Sequence, residues 1–501
     1  MKKVIICFLF ISLYLGFTQV MAQKTLLPFD PVTSHDAMRQ LYESDSIIHL
    51  SFKPLLLNKS DYDTLVKRTN DRYTTREYQN WIGRKLFREN LVVIEAEDLY
   101  LTFDVLMNLE LGNDFEDSSE GQITTNTRAI LVQGNITDKV YFRTDFYETQ
   151  SYFPSYVDSM IRASNVVPGQ GKAKPFKYSG YDYPVVTGIV NFQASKNVSV
   201  QFGQDKMFIG NGYRSLLLSD NTAPYLFLQV GLSLFENKVN YHANWASLQN
   251  LTRVKGVQST TGDDLFAKKQ ANFNYLTFKP SPKIEIGLFE GVIWERWNEY
   301  TKSQDFDPVF LNPVPFLTTA IKSNDTLVSS ILGLNAFVKP FTHVGFYGQF
   351  SYGTNGGGSG FQIGTKMYDV LQVQGLNLQA EFNQVGQNIY GTQNNYVDYF
   401  HFNQPLALQK MEDFTELNFR ISYRYKRVLG SLRGVIGHLN KSATKQHLID
   451  NYEANVAYLL NPITNLMVNM GVRYRVDSFG PNTNWVYFGV KTNLRNLYYD
   501  F

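Results

Sequence analysis

No familiar catalytic arrangement occurs in this sequence of 501 residues. The 7 histidines are scattered, with no His-Glu-x-x-His zinc pattern and no Gly-x-Ser-x-Gly nucleophile turn. Cys7 is the only cysteine, which leaves no cysteine-based metal site and no disulfide within the chain. We therefore expect a protein that is not an enzyme and that carries no metal and no cofactor.

Residues 201–228 combine charged, aromatic and glycine residues in one otherwise apolar stretch, QFGQDKMFIGNGYRSLLLSDNTAPYLFL. Lys206, Tyr213, Arg214 and Asp220 are the candidates here for binding a glycan, with the two cations facing its carboxylates. In the alternative interpretation, a cation of this stretch pairs with a carboxylate of the protein and pins the segment. Such internal pairs are the commoner use of these residues, although each is worth little energetically.

Two further groups of residues have side chains suited to glycans or anions. Trp294 and Trp297 lie among glutamates in the sequence WERWNEY, where they could stack on a sugar or form an interfacial aromatic belt. Basic residues recur on one side of the late alternating segments, where they either attract anions or form a salt-bridge ladder with acidic residues of earlier segments. The principal ones are Arg420, Arg424, Arg473 and Arg475.

The first 22 residues are typical of a bacterial secretory signal peptide. Lys2 and Lys3 precede an apolar run, and Val20-Met21-Ala22 resembles a cleavage site. Removing the two lysines leaves equal numbers of acidic and basic residues, since the whole chain has 47 Lys and Arg against 45 Asp and Glu. This balance gives no electrostatic reason to expect nucleic acid as a partner.

Long period-two alternation then indicates the elements that position these residues. From Leu99 to Leu111, every second residue is apolar, with Leu106 as the one exception on the polar side. Similar segments recur along the chain to an expected last strand ending at Leu497, Tyr499 and Phe501. Charged residues are only 18% of the chain and aromatic residues 15%, against roughly 25% charged in average domains.

The polar positions of these alternating segments are mostly Asn, Gln, Ser, Gly and Tyr. A soluble sandwich would carry many Lys and Glu on its polar face, so this composition favours a membrane barrel with a water-filled interior. The predicted fold class is all-β, a transmembrane antiparallel β-barrel of about 16 to 20 strands with a small N-terminal helical periplasmic segment. We assign residues 1–22 to the signal peptide, 23–93 to the helical segment and 94–501 to the barrel. Helices are expected at residues 34–44 and 72–89.

The 201–228 stretch resembles a motif of the Wzi-like capsule-assembly family of outer-membrane barrels, in the Bacteroidota branch that includes the gliding-motility protein RemB. Three supporting passages fit the same branch: NWIGRKLF at residues 80–87, DPVFLNPV at 307–314 and YFHFNQPLA at 399–407. After Ala407 the small-residue continuation typical of the family is missing. The resemblance implies a barrel of about 18 strands and a non-enzymatic role at the cell surface.

That role is to bind or retain surface or capsular polysaccharide in the bacterial outer membrane, and in the gliding branch to support motility. Two alternatives stay open: a diffusion porin for small anionic solutes, and a scaffold subunit of an envelope secretion or motility complex. The expected partners are surface polysaccharide, outer-membrane lipid and other envelope proteins, without nucleic acid.

Overall fold

The alternating segments form the wall of a closed barrel. A computed structural model describes residues 23–27, 29, 33–71, 78–117, 121–253, 266–296, 307–391, 396–408, 413–439, 447–492 and 495–500, so the predicted signal peptide lies outside the described residues. Eighteen antiparallel strands close through the last and first, where Trp485 lies opposite Asp114 and Lys491 opposite Asn108. Closure leaves none of these long strands as a free edge.

In chain order the strands are β1 Leu99–Asp114, β2 Gln122–Ile136, β3 Val140–Tyr152, β4 Gly180–Ser195, β5 Val198–Asp205, β6 Tyr225–Leu234, β7 Val239–Arg253, β8 Phe266–Ser281, β9 Ile284–Glu295, β10 Val328–Phe341, β11 Val344–Gly353, β12 Ser359–Met367, β13 Leu376–Val385, β14 Phe414–Tyr425, β15 Val428–Leu439, β16 His447–Asn461, β17 Leu466–Asp477 and β18 Thr483–Thr492.

The two faces of the wall follow the predicted alternation. On β1, Val105 and Leu109 point outward and are about half exposed, as lipid-facing side chains of an isolated barrel must be. Asp104 and Leu106 point inward and are buried. Leu106, the exception in the sequence pattern, therefore belongs to the interior, where it packs in an apolar cluster with Tyr147 and other side chains.

The connections differ between the two ends of the barrel. At one end they are short, as at residues 196–197, 282–283 and 426–427. At the other they are long, including residues 206–224, 296–327 and 386–413. Outer-membrane barrels place short turns in the periplasm and long loops outside the cell. We call these the short-turn end and the long-loop end.

The interior differs from the wet lumen that the polar strand phase predicted. The β5–β6 connection, residues 206–224, folds into the barrel, and we call it the plug. Its Leu216, Leu217 and Leu218 are fully buried in an apolar core with inward-facing aromatic residues of the wall and with residues 396–408 of the β13–β14 connection. The sequence could not show this, because the apolar residues that fill the interior come from loops rather than from the alternating strands.

The N-terminal segment packs partly inside the barrel. Helix α1 spans Thr33–Glu43, close to the prediction for residues 34–44, and helix α2 spans Lys59–Asp71. Between them, Phe52–Lys53 pairs with Phe208–Ile209 of the plug. Of the helix predicted at residues 72–89, the structure describes only α3, Trp81–Phe87, because residues 72–77 lie outside the described residues.

Helix α3 lies at the short-turn end beside the end of β16, where the Asn461 side chain donates to the main-chain oxygens of Lys85 and Glu89, both at 3.1 Å. Asn80 caps it, its side chain accepting a hydrogen bond from the Gly83 N–H at 2.6 Å. Trp81 and Ile82 are 59% and 63% exposed, which suits a helix lying in the membrane interface. The adjoining strand Val92–Ala96 pairs with the first residues of β1. No helix among the described residues is long and apolar enough to span a membrane.

The expectation for the last strand was wrong. Strand β18 ends at Thr492, and residues 495–500, here called the tail, turn into the interior instead of continuing the wall. Tyr498 and Asp500 are buried there beside the plug. Their polar groups find partners inside the barrel that a membrane-facing strand end does not offer. Phe501 lies outside the described residues.

Candidate functional site

The plug is anchored to the wall through a buried carboxylate. Glu381 of β13 accepts hydrogen bonds from the main-chain N–H groups of Tyr213 and Arg214, at 2.7 and 3.1 Å. Asn383 and Tyr347 donate to the same carboxylate, at 2.8 and 3.0 Å. Glu381 therefore satisfies main-chain donors of the plug that are buried away from water.

Arg214 has the internal role that the sequence left as one of two alternatives. Its guanidinium pairs with Glu416 of β14 at 3.2 Å and with Asp500 of the tail at 3.3 Å. Burial alone would raise the pKa of Asp500, but the Arg214 and Arg433 guanidinium groups outweigh burial and hold that pKa at about 2. Arg214 thus ties the plug, the wall and the tail together.

The other candidates of the plug also have partners within the protein. The Tyr213 hydroxyl donates to Asp500 at 2.6 Å. Asp220 accepts a hydrogen bond from the Tyr498 hydroxyl at 2.8 Å, and burial raises the pKa of this carboxyl. The Lys206 ammonium donates to the carbonyl of Gly169, and burial lowers its pKa to about 8. Of the four, Lys206 lines the large cavity described below.

Trp294 lies on the outer face of the wall, beneath a loop. Trp294 lies on the same face of β9 as Ile286 and Leu288, whose side chains face the membrane and are exposed, yet Trp294 itself is only 9% exposed. Residues 307–321, here called the flap, fold over it, and its ring stacks on that of Phe310 with centroids 3.9 Å apart. Trp294 is therefore neither a free sugar platform nor an exposed belt residue, and Trp297 lies outside the described residues.

Polar groups of the outer face hold the flap in place. Glu290 of β9 is fully buried and accepts hydrogen bonds from the N–H groups of Phe316 and Thr319, at 2.9 and 3.1 Å. These groups begin the short helix α4, Leu317–Ile321. The flap's own exposed side chains include Leu311, Val314, Leu317 and Ile321, so it replaces a polar stretch of wall with an apolar surface.

Three of the four predicted lumen arginines take part in ion pairs. Arg424 pairs with Asp36 of α1 at 2.5 Å, Arg473 with Glu453 at 2.9 Å and Arg475 with Asp477 at 2.8 Å. Their partners lie on α1, on β16 and on β17 itself, so the predicted ladder with acidic residues of earlier strands is not the arrangement found. Arg420 differs from these three, because no carboxylate among the described residues lies within ion-pair distance of its guanidinium.

A large cavity lies inside the wall at the short-turn end, with a volume of about 1130 Å³. The N-terminal segment, the plug and strands β4 to β7 enclose it, and turn residues such as Asn197 and Asn237 line its mouth. Its wall is rich in uncharged polar side chains: Asn191, Gln193, Ser199, Gln201, Gln229, Ser233, Asn240 and His242.

Neighbouring strands present amides to this cavity at matching positions. Asn191 of β4 lies opposite Gln201 of β5, which lies opposite Gln229 of β6. The Asn191 side-chain oxygen is buried and has no hydrogen-bond partner among the described residues. Phe52 adds an aromatic surface by stacking on His242 with centroids 4.1 Å apart. Such a wall can donate and accept hydrogen bonds without favouring either sign of charge.

These amides were not among the predicted site residues. Each lies in the inward phase of its strand, so the alternation places it inside the barrel. What would have distinguished them is their alignment across three strands, which depends on strand register and is not visible in one strand alone.

No family model matches the sequence, and no curated protein matches it. Among solved structures, Wzi, an outer-membrane protein involved in group 1 capsule assembly in Escherichia coli and described as a carbohydrate-binding β-barrel, is 12% identical. The match covers 94% of this chain and 100% of that one, with a TM-score of 0.57. This chain is an outer-membrane β-barrel. At this identity the likeness to Wzi concerns the fold.

Two barrels of Pseudomonas aeruginosa also match, with TM-scores below 0.5. OprD is 11% identical, and the match covers 80% of this chain and 98% of OprD, with a TM-score of 0.44. OpdK with vanillate is 10% identical, with 78% and 98% covered and a TM-score of 0.48.

Proposed function

We propose that this protein is a non-enzymatic outer-membrane barrel that binds and retains polysaccharide. The observation that carries the proposal is the large cavity at the short-turn end, with its aligned amides and the unpartnered oxygen of Asn191. A sugar hydroxyl both donates and accepts hydrogen bonds. Side-chain amides do the same, so Asn and Gln can match hydroxyl groups in several orientations.

The dimensions of the cavity agree with this ligand class. A volume of about 1130 Å³ lies just above the range for small-molecule sites, roughly 300 to 1,000 Å³, and can hold several sugar units. Its mouth lies among the short turns, which points to the periplasm. The glycan would thus be met on the inner side of the membrane, as it is exported.

The likeness to Wzi supports the proposal at the level of fold, and the sequence motifs support a role in capsule assembly or attachment. Within the same proposal, the resemblance to the Bacteroidota branch extends the role to gliding motility. Partners would be surface polysaccharide, outer-membrane lipid and, in a motility or secretion complex, other envelope proteins.

The anion-porin alternative rests on the basic interior residues, and the plug argues against it. Fully buried leucines of the plug and aromatic residues of the wall form one apolar core inside the barrel. A diffusion pore needs a continuous water path, which such a core interrupts. Planar-bilayer recording separates the two: large steady openings favour the porin, and a silent barrel favours glycan retention.

Deletion of the gene tests the biological role. We expect weaker capsule staining and, if the gliding extension holds, reduced spreading on agar. Restoring the wild-type gene should reverse both changes. Unchanged capsule and unchanged spreading would contradict the proposed role. Stable co-purification of other envelope proteins in mild detergent would instead favour the scaffold alternative.

A further inference from the structure

A second, smaller cavity of about 180 Å³ lies between the wall and the tail, from Leu429 and Met467 near the short turns to Tyr213 of the plug. Its charged lining is unbalanced. Two acidic residues, Glu110 and Glu453, face five basic ones: Arg420, Arg433, Arg473, Lys491 and Arg495. We call it the basic cavity.

Strand register places these charges in one row around the wall. Arg420 of β14 lies opposite Arg433 of β15, Arg433 opposite Glu453 of β16, and Glu453 opposite Arg473 of β17. Because directly opposed residues share a face, all four side chains project into the interior. The row thus contains three cations and a single carboxylate.

That carboxylate is fully engaged. Arg433 and Arg473 both pair with Glu453, and the Tyr487 hydroxyl donates to it at 2.7 Å. Arg433 has a further, longer contact of 3.6 Å with Asp500. In the part of the chain that the structure describes, Arg420, Lys491 and Arg495 have no carboxylate within ion-pair distance, and the Arg473 Nη1 atom has no hydrogen-bond acceptor.

Aromatic rings fix two of these cations in position. The Arg473 guanidinium lies 4.6 Å from the ring centroids of both Trp485 and Tyr499. The Arg495 guanidinium lies 3.7 Å from that of Tyr147. Stacking of this kind holds a guanidinium in place while leaving its edge donors available. The donors are therefore arranged before any ligand arrives, which lowers the entropy cost of binding.

We propose that the basic cavity binds the anionic group of an acidic sugar, a carboxylate such as that of a uronic acid. Enclosed like charges repel one another unless an anion lies among them. Arginine forks match the two oxygens of a carboxylate, and a space of about 180 Å³ accepts one sugar unit. The inference rests on the proposed function and refines it: the barrel selects acidic polysaccharides.

The test is calorimetric titration of the full mature chain in detergent with sodium glucuronate, glucose and sodium phosphate. Glucuronate should bind, and Arg420→Gln or Lys491→Gln should weaken it about tenfold or more, because hydrogen bonds between ions are strong. Lys139→Gln, at an exposed short turn, is the matched control and should change nothing. Arg420→Lys should retain part of the affinity. Heat-modifiable migration in electrophoresis checks that each variant is folded.

Three outcomes overturn the inference: no glucuronate binding, binding of glucose with equal strength, or an affinity for glucuronate that neither substitution changes. Phosphate competing with glucuronate through the same residues supports a site for oxyanions of either source, whereas binding of phosphate alone excludes the sugar acid. A separate measurement tests the proposed function. A neutral polysaccharide retarded in an affinity gel while glucuronate fails to bind would leave that function standing and remove only this refinement.

Discussion

The plug and the flap are two connections that leave the long-loop end and fold back on opposite faces of the same wall. Each is held by a wall glutamate that accepts two main-chain N–H groups, Glu381 for the plug and Glu290 for the flap. Glu285 binds the N-terminal segment in the same way, through the N–H groups of Leu50 and Ser51, both at 3.3 Å. The anchoring is therefore shared by both faces.

The remaining side chains differ because the surroundings differ. The plug turns its leucines into a protein core and adds the Arg214 ion pairs, which link it to the wall and the tail. The flap turns Leu311 and Val314 outward, where the membrane is its neighbour. The comparison shows that the glutamate fixes where a loop lies, whereas the medium beyond the loop decides which residues it presents.

Replacement of the plug anchor should have the largest effect. Glu381→Gln removes a charged acceptor from two buried N–H groups, which should lower the free energy of unfolding by about 3 kcal/mol. Loosening the plug should also produce channel openings in planar bilayers. Glu95→Gln, an exposed position on the short strand before β1, is the control and should behave like wild type. A fully silent and equally stable Glu381→Gln barrel would show that Glu381 does not hold the plug.

The flap anchor should give a smaller effect of a different kind. Glu290→Gln, like Glu381→Gln, keeps one acceptor oxygen, but because Glu290 holds a loop on the outer face rather than the interior core, we expect a smaller loss of about 2 kcal/mol in the free energy of unfolding. Conductance should not change, because the flap lies outside the wall. Denaturant unfolding in detergent measures the first effect and bilayer recording the second. Channel openings in this variant would show that the flap lies in the conduction path, which would contradict its assignment to the outer face of the wall.

The outward face of the flap should contact lipid. In vesicles, Val314→Cys should react with a water-soluble maleimide about tenfold more slowly than Tyr178→Cys, which is exposed at the long-loop end. The only native cysteine, Cys7, belongs to the predicted signal peptide. Equal labelling rates would show that the flap lies in water rather than against the membrane.

The tail should contribute the smallest effect, visible at low pH. The pKa of Asp500 in the folded protein, about 2, is below the value of roughly 3.9 expected when unfolded. Its stabilisation is therefore complete above the unfolded value and is lost as the pH falls toward 2. The stability difference between wild type and Asp500→Asn should shrink between about pH 5 and 2. A difference independent of pH would contradict the assigned ion pair.

Period-two alternation allowed the wall and its inward and outward faces to be predicted, because each strand carries that signal locally. The tail was misassigned for the same reason: Leu497 and Tyr499 continue the alternation, while the partners that draw Tyr498 and Asp500 inward are distant in sequence.

The site was harder to predict than the wall. Arg214 was identified as charged and notable, but its partners Glu416 and Asp500 are about 200 and 290 residues away. The amides around Asn191 look ordinary in each strand, and only register brings them into one row. Residues that act through assembly across strands carry no local signal.

The central claim is that the large cavity binds polysaccharide, and one pair of variants tests it most directly. Affinity electrophoresis of the purified barrel in gels containing capsular polysaccharide should show retardation of wild type and at least a several-fold weaker retardation of Asn191→Leu. Asn126→Leu, the same substitution on the outer face opposite the exposed Leu109, should migrate like wild type. If Asn191→Leu and wild type are retarded equally, or if neither is retarded, the cavity is not the glycan site.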